Sequence, residues 1–143
     1  DIIKEQIKIA DNQALNIKQE DIVLSGHAIE CRLNAEDQEN GFSPCPGTIS
    51  YYRPPGGFGI RMDSHLESGY KIPPYYDSMI GKLICWGANR NEAIIRMTRA
   101  LSEMKVEGIK TTAQFHSKLI NSGQFKSGNF NTVFVASLLE KQH

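Results

Sequence analysis

Two periodicities divide the chain. Over residues 27–34 polar and apolar side chains alternate, with His27, Ile29, Cys31 and Leu33 on one side and Ala28, Glu30, Arg32 and Asn34 on the other. That is the period-two pattern of a strand with one buried face. Residues 78–86 are mostly apolar, with Met79, Gly81, Leu83 and Cys85 opposing Ile80, Lys82, Ile84 and Trp86, which predicts a largely buried strand. Residues 48–53 are β-branched and aromatic, and residues 58–63 alternate; Pro54-Pro55-Gly56-Gly57 between them predicts an antiparallel hairpin. Residues 36–47 read as a loop, since Pro44 and Pro46 supply no ladder donor. Residues 70–72 form a further short strand candidate, ended by Pro73-Pro74.

Helical spacing governs both ends. Ile3, Ile7 and Ala10 follow a capping Asp1 in a short amphipathic helix that fades near residues 12–15. After Gly87, Asn89 or Asn91 can cap a helix whose Ala93, Ile94, Met97, Ala100, Leu101 and Met104 form one stripe, with Gly108 closing it. A Thr-capped helix is expected over residues 113–121, and a last one over residues 132–141 presenting Val135, Leu138 and Leu139. Strands fill the first two thirds and helices the last third. The fold class expected is therefore α+β, an antiparallel sheet covered by C-terminal helices.

The 143 residues suit one domain with its own core. Sixteen basic residues balance sixteen acidic ones, so no bulk field favours nucleic acid or an anionic membrane, and any anion binding must be local. No apolar run reaches the roughly 18 residues that span a bilayer. Cys31, Cys45 and Cys85 fit neither a CxxC motif nor a closed disulfide framework, which points to a reducing, intracellular setting. The chain starts at Asp1 and runs straight into a helical pattern, as expected of a piece of a longer polypeptide.

Three segments are candidates for chemistry. Glu30 and Arg32 project from the polar face of their strand, and two readings stand: a solvated edge with an ordinary salt bridge, or a site for an anion or ligand. Asp77, after Pro73-Pro74-Tyr75-Tyr76, either orients an arginine or ligand hydroxyl or caps its own turn, and the tyrosines either line a pocket or pack. Gly56, Gly57 and Gly59 lack the following helix and Lys-Ser or Lys-Thr pair of a phosphate loop, so a hairpin with a bulge is expected. Phe58 and Arg61 at its tip suit a partner surface, the alternative for Phe58 being stacking on its own domain. His27, His65, His116 and His143 are not spaced as metal ligands, and no metal site is expected. Asp63-Ser64-His65 are sequence neighbours, which rarely converge as a catalytic triad.

Residues 26–37, 55–65 and 73–83, in this order, strongly resemble the C-terminal domain of biotin carboxylase, and most closely the free-standing subunit of bacterial or plastid acetyl-CoA carboxylase. The Arg32-Leu33-Asn34-Ala35-Glu36-Asp37 and Tyr75-Tyr76-Asp77-Ser78-Met79 blocks look more like that subunit than like the pyruvate or acyl-CoA carboxylases. Two positions depart from the family pattern: Gln38 stands where proline is common, and Cys45 where serine is usual.

The resemblance implies a domain of a larger enzyme in which ATP and bicarbonate form carboxyphosphate and carboxylate biotin on the biotin carboxyl carrier protein. This is the first step of acetyl-CoA carboxylation in fatty acid synthesis. It implies that Arg32 is the cation at the biotin ureido oxygen, with Glu30 holding it, that Asp77 lies near the biotin pocket, and that Phe58 and Arg61 belong to a homodimer interface. Carboxyltransferase subunits are implied as further partners, and the bacterial cytoplasm or plastid stroma as the location. ATP and Mg²⁺ belong to an upstream ATP-grasp region that this chain lacks, so the 143 residues alone are expected to cleave no ATP. The alternatives are a domain serving mainly as homodimerisation scaffold, or the equivalent domain of another biotin-dependent carboxylase.

Overall fold

A computed structural model describes residues 1–140. In chain order its elements are α1 (Ile2–Ala10), β1 (His27–Asn34), β2 (Glu36–Asp37), β3 (Ser43–Pro44), β4 (Tyr51–Arg53), β5 (Ile60–Ser64), β6 (Met79–Gly87), α2 (Arg90–Glu103), β7 (Lys105–Glu107), α3 (Ala113–Asn121), α4 (Gly123–Ser127) and α5 (Phe134–Glu140). The main sheet is antiparallel with order β1-β6-β5; β2 pairs with β3, and β4 with β7.

The core lies between one face of this sheet and α2. Ile29, Cys31, Leu33, Leu83 and Cys85 meet the α2 stripe of Ala93, Ile94, Met97, Ala100 and Leu101, all buried. The period-two and helical patterns of the sequence thus face each other, as a sheet with one apolar face and a helix with one apolar stripe require. The outer face of β6 is less covered than expected: Ile80 is buried, Lys82 and Ile84 are half-buried, and Trp86 is exposed. Asp1 caps α1 through the Lys4 amide at 3.0 Å, and the Asn89 side chain caps α2 through the Glu92 amide at 3.0 Å.

The expected hairpin does not form. Tyr51, Tyr52 and Arg53 pair with Glu107, Val106 and Lys105, while β5 pairs with β6. The four residues Pro54 to Gly57 do not make a two-residue hairpin turn; the Ile60 amide donates to the Gly57 carbonyl at 3.2 Å, and this tighter turn delivers β5 to the long apolar β6. Residues 48 and 49 pair instead with the segment around residue 70, through a Thr48–Lys71 bridge and the Ile49 amide on the Tyr70 carbonyl at 2.9 Å, and the Ser50 amide donates to the Glu107 carbonyl at 2.9 Å.

The α2 helix also stops earlier than expected, with Met104 extended at φ −65° and ψ 135°, and β7 occupies the residues before Gly108. Gly108 has φ +97°, and a Cβ there would strike the Thr48 carbonyl, so the glycine turns the chain after β7 rather than closing a helix. Near the end, α4 was not foreseen, and α5 buries Phe134 rather than Val135, which is exposed; Leu138 and Leu139 are half-buried. The expected helix end at Lys141 lies outside the described residues.

Candidate functional site

The ladder sets which side chains share the uncovered face of the sheet. Arg32 lies directly opposite Lys82, which lies opposite Asp63; Glu30 and Arg61 both lie opposite Ile84. Directly opposed residues project to the same side, so Glu30, Arg32, Lys82, Arg61 and Asp63 form one charged surface across three strands.

The two arginines on it are held differently. Arg61 makes a two-pronged contact with Asp63, Nε to Oδ1 at 2.8 Å and Nη2 to Oδ2 at 2.7 Å, and this bond holds the Asp63 carboxyl below its usual range. Among the described residues Arg32 has only Glu30, Nε to Oε1 at 3.7 Å, and its side chain is 71 % exposed. At that distance and exposure the pair is a loose, solvent-screened one. Arg32 therefore presents a guanidinium free to bond an incoming acceptor, beside a second cation at Lys82.

The backbone under Arg32 is well fixed. A register shift falls between Leu33 and Asn34. The Ala35 amide then donates to the Ser78 carbonyl at 2.8 Å, and the Asn34 side-chain amide donates to Glu36 at 2.9 Å. The Ser78 hydroxyl donates to the same Glu36 carboxylate. This network ties the end of β1 to the start of β6.

Asp77 sits just before that start. Its Oδ1 accepts the Met79 amide at 2.7 Å, the turn-capping arrangement, and no bond joins it to Arg32 among the described residues. Tyr75 and Tyr76 are 86 % and 81 % exposed, so neither packs in the core. Tyr76, Asp77, His65 and Tyr70 border an open cleft of about 300 Å³. Phe58 is 80 % exposed at the turn before β5, and the Arg96 guanidinium lies over its ring, 5.2 Å from the centroid.

The two departures from the family pattern are accommodated. Gln38 begins a 3₁₀ turn, Gln38–Asn40, a first helical position that proline would also suit. Cys45 Sγ accepts the Lys110 amide at 3.4 Å. Lys110 also bridges Asp37 and Glu39 at 2.9 Å each, which lowers the Asp37 pKa.

Sequence reasoning missed Thr112 and His116. Thr112 does precede α3, but its hydroxyl makes no helix cap; it bonds the backbone of β1, as does the His116 ring. The signal in the sequence is a threonine at a helix start, which predicts a local cap.

The glycines of residues 56–59 lead into β5, not a helix, and no group of three His, Cys, Asp or Glu side chains is placed to hold a metal among the described residues. Among those residues no helix is long and apolar enough to cross a membrane.

The comparisons with known proteins agree with this architecture. The chain is 57 % identical to biotin carboxylase 1 of Bacillus subtilis over 135 residues, covering 94 % of this chain and 30 % of that protein. Its fold matches the biotin carboxylase subunit of a pyruvate carboxylase with a TM-score of 0.94 at 45 % identity, covering 98 % of this chain and 31 % of the other. It matches the biotin carboxylase domain dimer of Hydrogenobacter thermophilus 2-oxoglutarate carboxylase, solved with MgADP, ADP and bicarbonate, with a TM-score of 0.93 at 44 % identity, covering 96 % and 30 %. The chain thus spans less than a third of the length of these relatives. The profile of the biotin carboxylase C-terminal domain matches residues 30–137, which hold the charged sheet face and the helices behind it, and the chain belongs to that family.

Proposed function

We propose that this chain is the C-terminal domain of a longer biotin carboxylase and supplies the biotin-side wall of its active site. The observation that carries the reading is Arg32: a guanidinium on the outward face of β1, whose only ion-pair partner among the described residues is loose, at 3.7 Å. The biotin ureido nitrogen is a poor nucleophile until its oxygen takes on enolate character. A cation fixed at that oxygen stabilises charge that develops in the transition state, and so raises the rate rather than only the affinity. Glu30 limits the directions Arg32 samples, and Asp77, which borders a cleft with His65, Tyr70 and Tyr76, is proposed to lie near the biotin pocket.

ATP, Mg²⁺ and bicarbonate are handled by an ATP-grasp region outside these residues, so the chain alone cleaves no ATP. Ile2, Ile3, Ile7, Val23 and Leu24 are exposed, and α1 buries none of its residues. Upstream sequence is the occupant proposed for that apolar surface. The substrate is biotin on its carrier protein, and the acetyl-CoA carboxylase of a bacterial cytoplasm or plastid stroma, with carboxyltransferase subunits, is the setting favoured by the two sequence blocks around Arg32 and Asp77. Arg32→Ala in the full-length polypeptide tests the assignment: biotin carboxylation falls while bicarbonate-dependent ATP cleavage persists.

A second reading rests on Phe58, an exposed aromatic beside Arg61 at one end of β5, which suits a homodimer contact. Both roles are compatible in one protein, since Arg32 and Arg61 lie on different strands of the same face.

A further inference from the structure

The outer edge of β1 carries the inference. With sheet order β1-β6-β5, β6 occupies one side of β1, and among the described residues no strand pairs with the backbone groups on the other. At Arg32 and Asn34 those groups are taken by α3. The Thr112 amide donates to the Asn34 carbonyl at 3.0 Å. The Thr112 hydroxyl accepts the Asn34 amide at 3.0 Å and donates to the Arg32 carbonyl at 3.3 Å. One helical turn on, His116 Nε2 donates to the same Arg32 carbonyl at 2.6 Å. Thr112 is buried and His116 half-buried between Phe115 and the strand. A neutral imidazole has one N–H, so the carbonyl fixes the tautomer with hydrogen on Nε2.

We infer that His116, with Thr112, is a positioning residue for Arg32: the two side chains clamp the Arg32 carbonyl from the strand's free edge and so set where its guanidinium stands. The inference rests on the assignment of Arg32 made above. Its force comes from the contrast between the two ends of that residue. The guanidinium has one loose contact, whereas the carbonyl accepts from two side chains just before the register shift. Placement of the cation then depends on the backbone, and transition-state stabilisation is sensitive to displacements of about 1 Å.

The test uses the full-length enzyme and measures two rates: biotin carboxylation, and biotin-free, bicarbonate-dependent ATP cleavage. His116→Phe keeps a ring and removes the donor. It is expected to lower kcat for biotin carboxylation about three- to tenfold, the range set by one lost hydrogen bond, and to leave biotin-free ATP cleavage within about twofold. His116→Gln, whose amide can reach the carbonyl, is expected to recover most of the loss, which a purely structural role would not require. If His116→Phe fails to fold, His116→Asn, too short to reach, must show the same split beside His116→Gln. Equal losses in both rates, no loss in either, or a Gln variant no better than the Phe or Asn variant would overturn the inference. Arg32→Ala is run alongside. If it leaves carboxylation unchanged, the underlying assignment fails; if it abolishes carboxylation while the His116 variants do not change it, only the clamp fails.

Discussion

Leu33 and Arg32 are neighbours that point to opposite faces of β1, so truncating each to alanine separates packing from chemistry. Leu33 is 1 % exposed and lies opposite Gly81, which has no side chain to move into a vacancy. Leu33→Ala removes three carbon atoms, worth about 2.4 kcal/mol of transfer free energy at roughly 0.8 kcal/mol per buried methylene. The cavity left beside Gly81 adds about 1–2 kcal/mol, because the backbone pairing restricts collapse. The expected cost is about 4 kcal/mol, which at a urea dependence of about 2 kcal/mol per M lowers the unfolding midpoint by about 2 M. Arg32→Ala, with an exposed side chain and one loose ion pair, is expected to shift stability by less than about 0.5 kcal/mol. Urea unfolding followed by circular dichroism measures both. A cost below about 1 kcal/mol for Leu33→Ala, or above about 2 kcal/mol for Arg32→Ala, would refute this division of β1 into a packed face and an open one.

Asp37 titrates below its ordinary value of 3.8 because Lys110 bonds its carboxylate. A carboxyl depressed in the folded state contributes stability above its unfolded pKa and loses it as pH falls through the folded pKa, so this contribution disappears in acid below 3.8. Carbon-detected NMR titration should show Asp37 moving back toward 3.8 in Lys110→Met, and an unchanged midpoint would exclude Lys110 as the cause. Phe58→Ala and Arg61→Glu are expected to weaken self-association of the full-length enzyme in sedimentation experiments, whereas Arg32→Ala leaves it unchanged. Unchanged self-association in both variants would remove this corner from the proposed interface.

Local pattern carried the parts of the fold governed by burial. The alternation of residues 27–34 matches β1 and its buried face, and the stripe Ala93, Ile94, Met97, Ala100 and Leu101 matches the buried side of α2. Strand partners were less legible, because pairing is decided by which edges the whole core brings together. The three residues Lys105, Val106 and Glu107 follow a helix directly and look like its last turn, yet they complete a ladder with Tyr51, Tyr52 and Arg53. Arg32 is legible in the sequence as a charge on a strand's polar face, and its proposed role is what the family resemblance implies. The bond from His116 to the Arg32 carbonyl spans 84 positions in the chain, and the backbone group it satisfies leaves no mark in the sequence. Asp77 was recognised by position, but the Met79 amide it accepts is the one partner its carboxylate has among the described residues.

The most direct test of the account is the ratio of biotin carboxylation to biotin-free, bicarbonate-dependent ATP cleavage in the full-length polypeptide, wild type against Arg32→Ala, with both proteins shown to fold. Loss of a fixed charge at the developing enolate should lower carboxylation by about 10²–10³-fold while ATP cleavage survives. Carboxylation at the wild-type rate would contradict the account, remove Arg32 from the site, and leave the domain as scaffold and dimer contact.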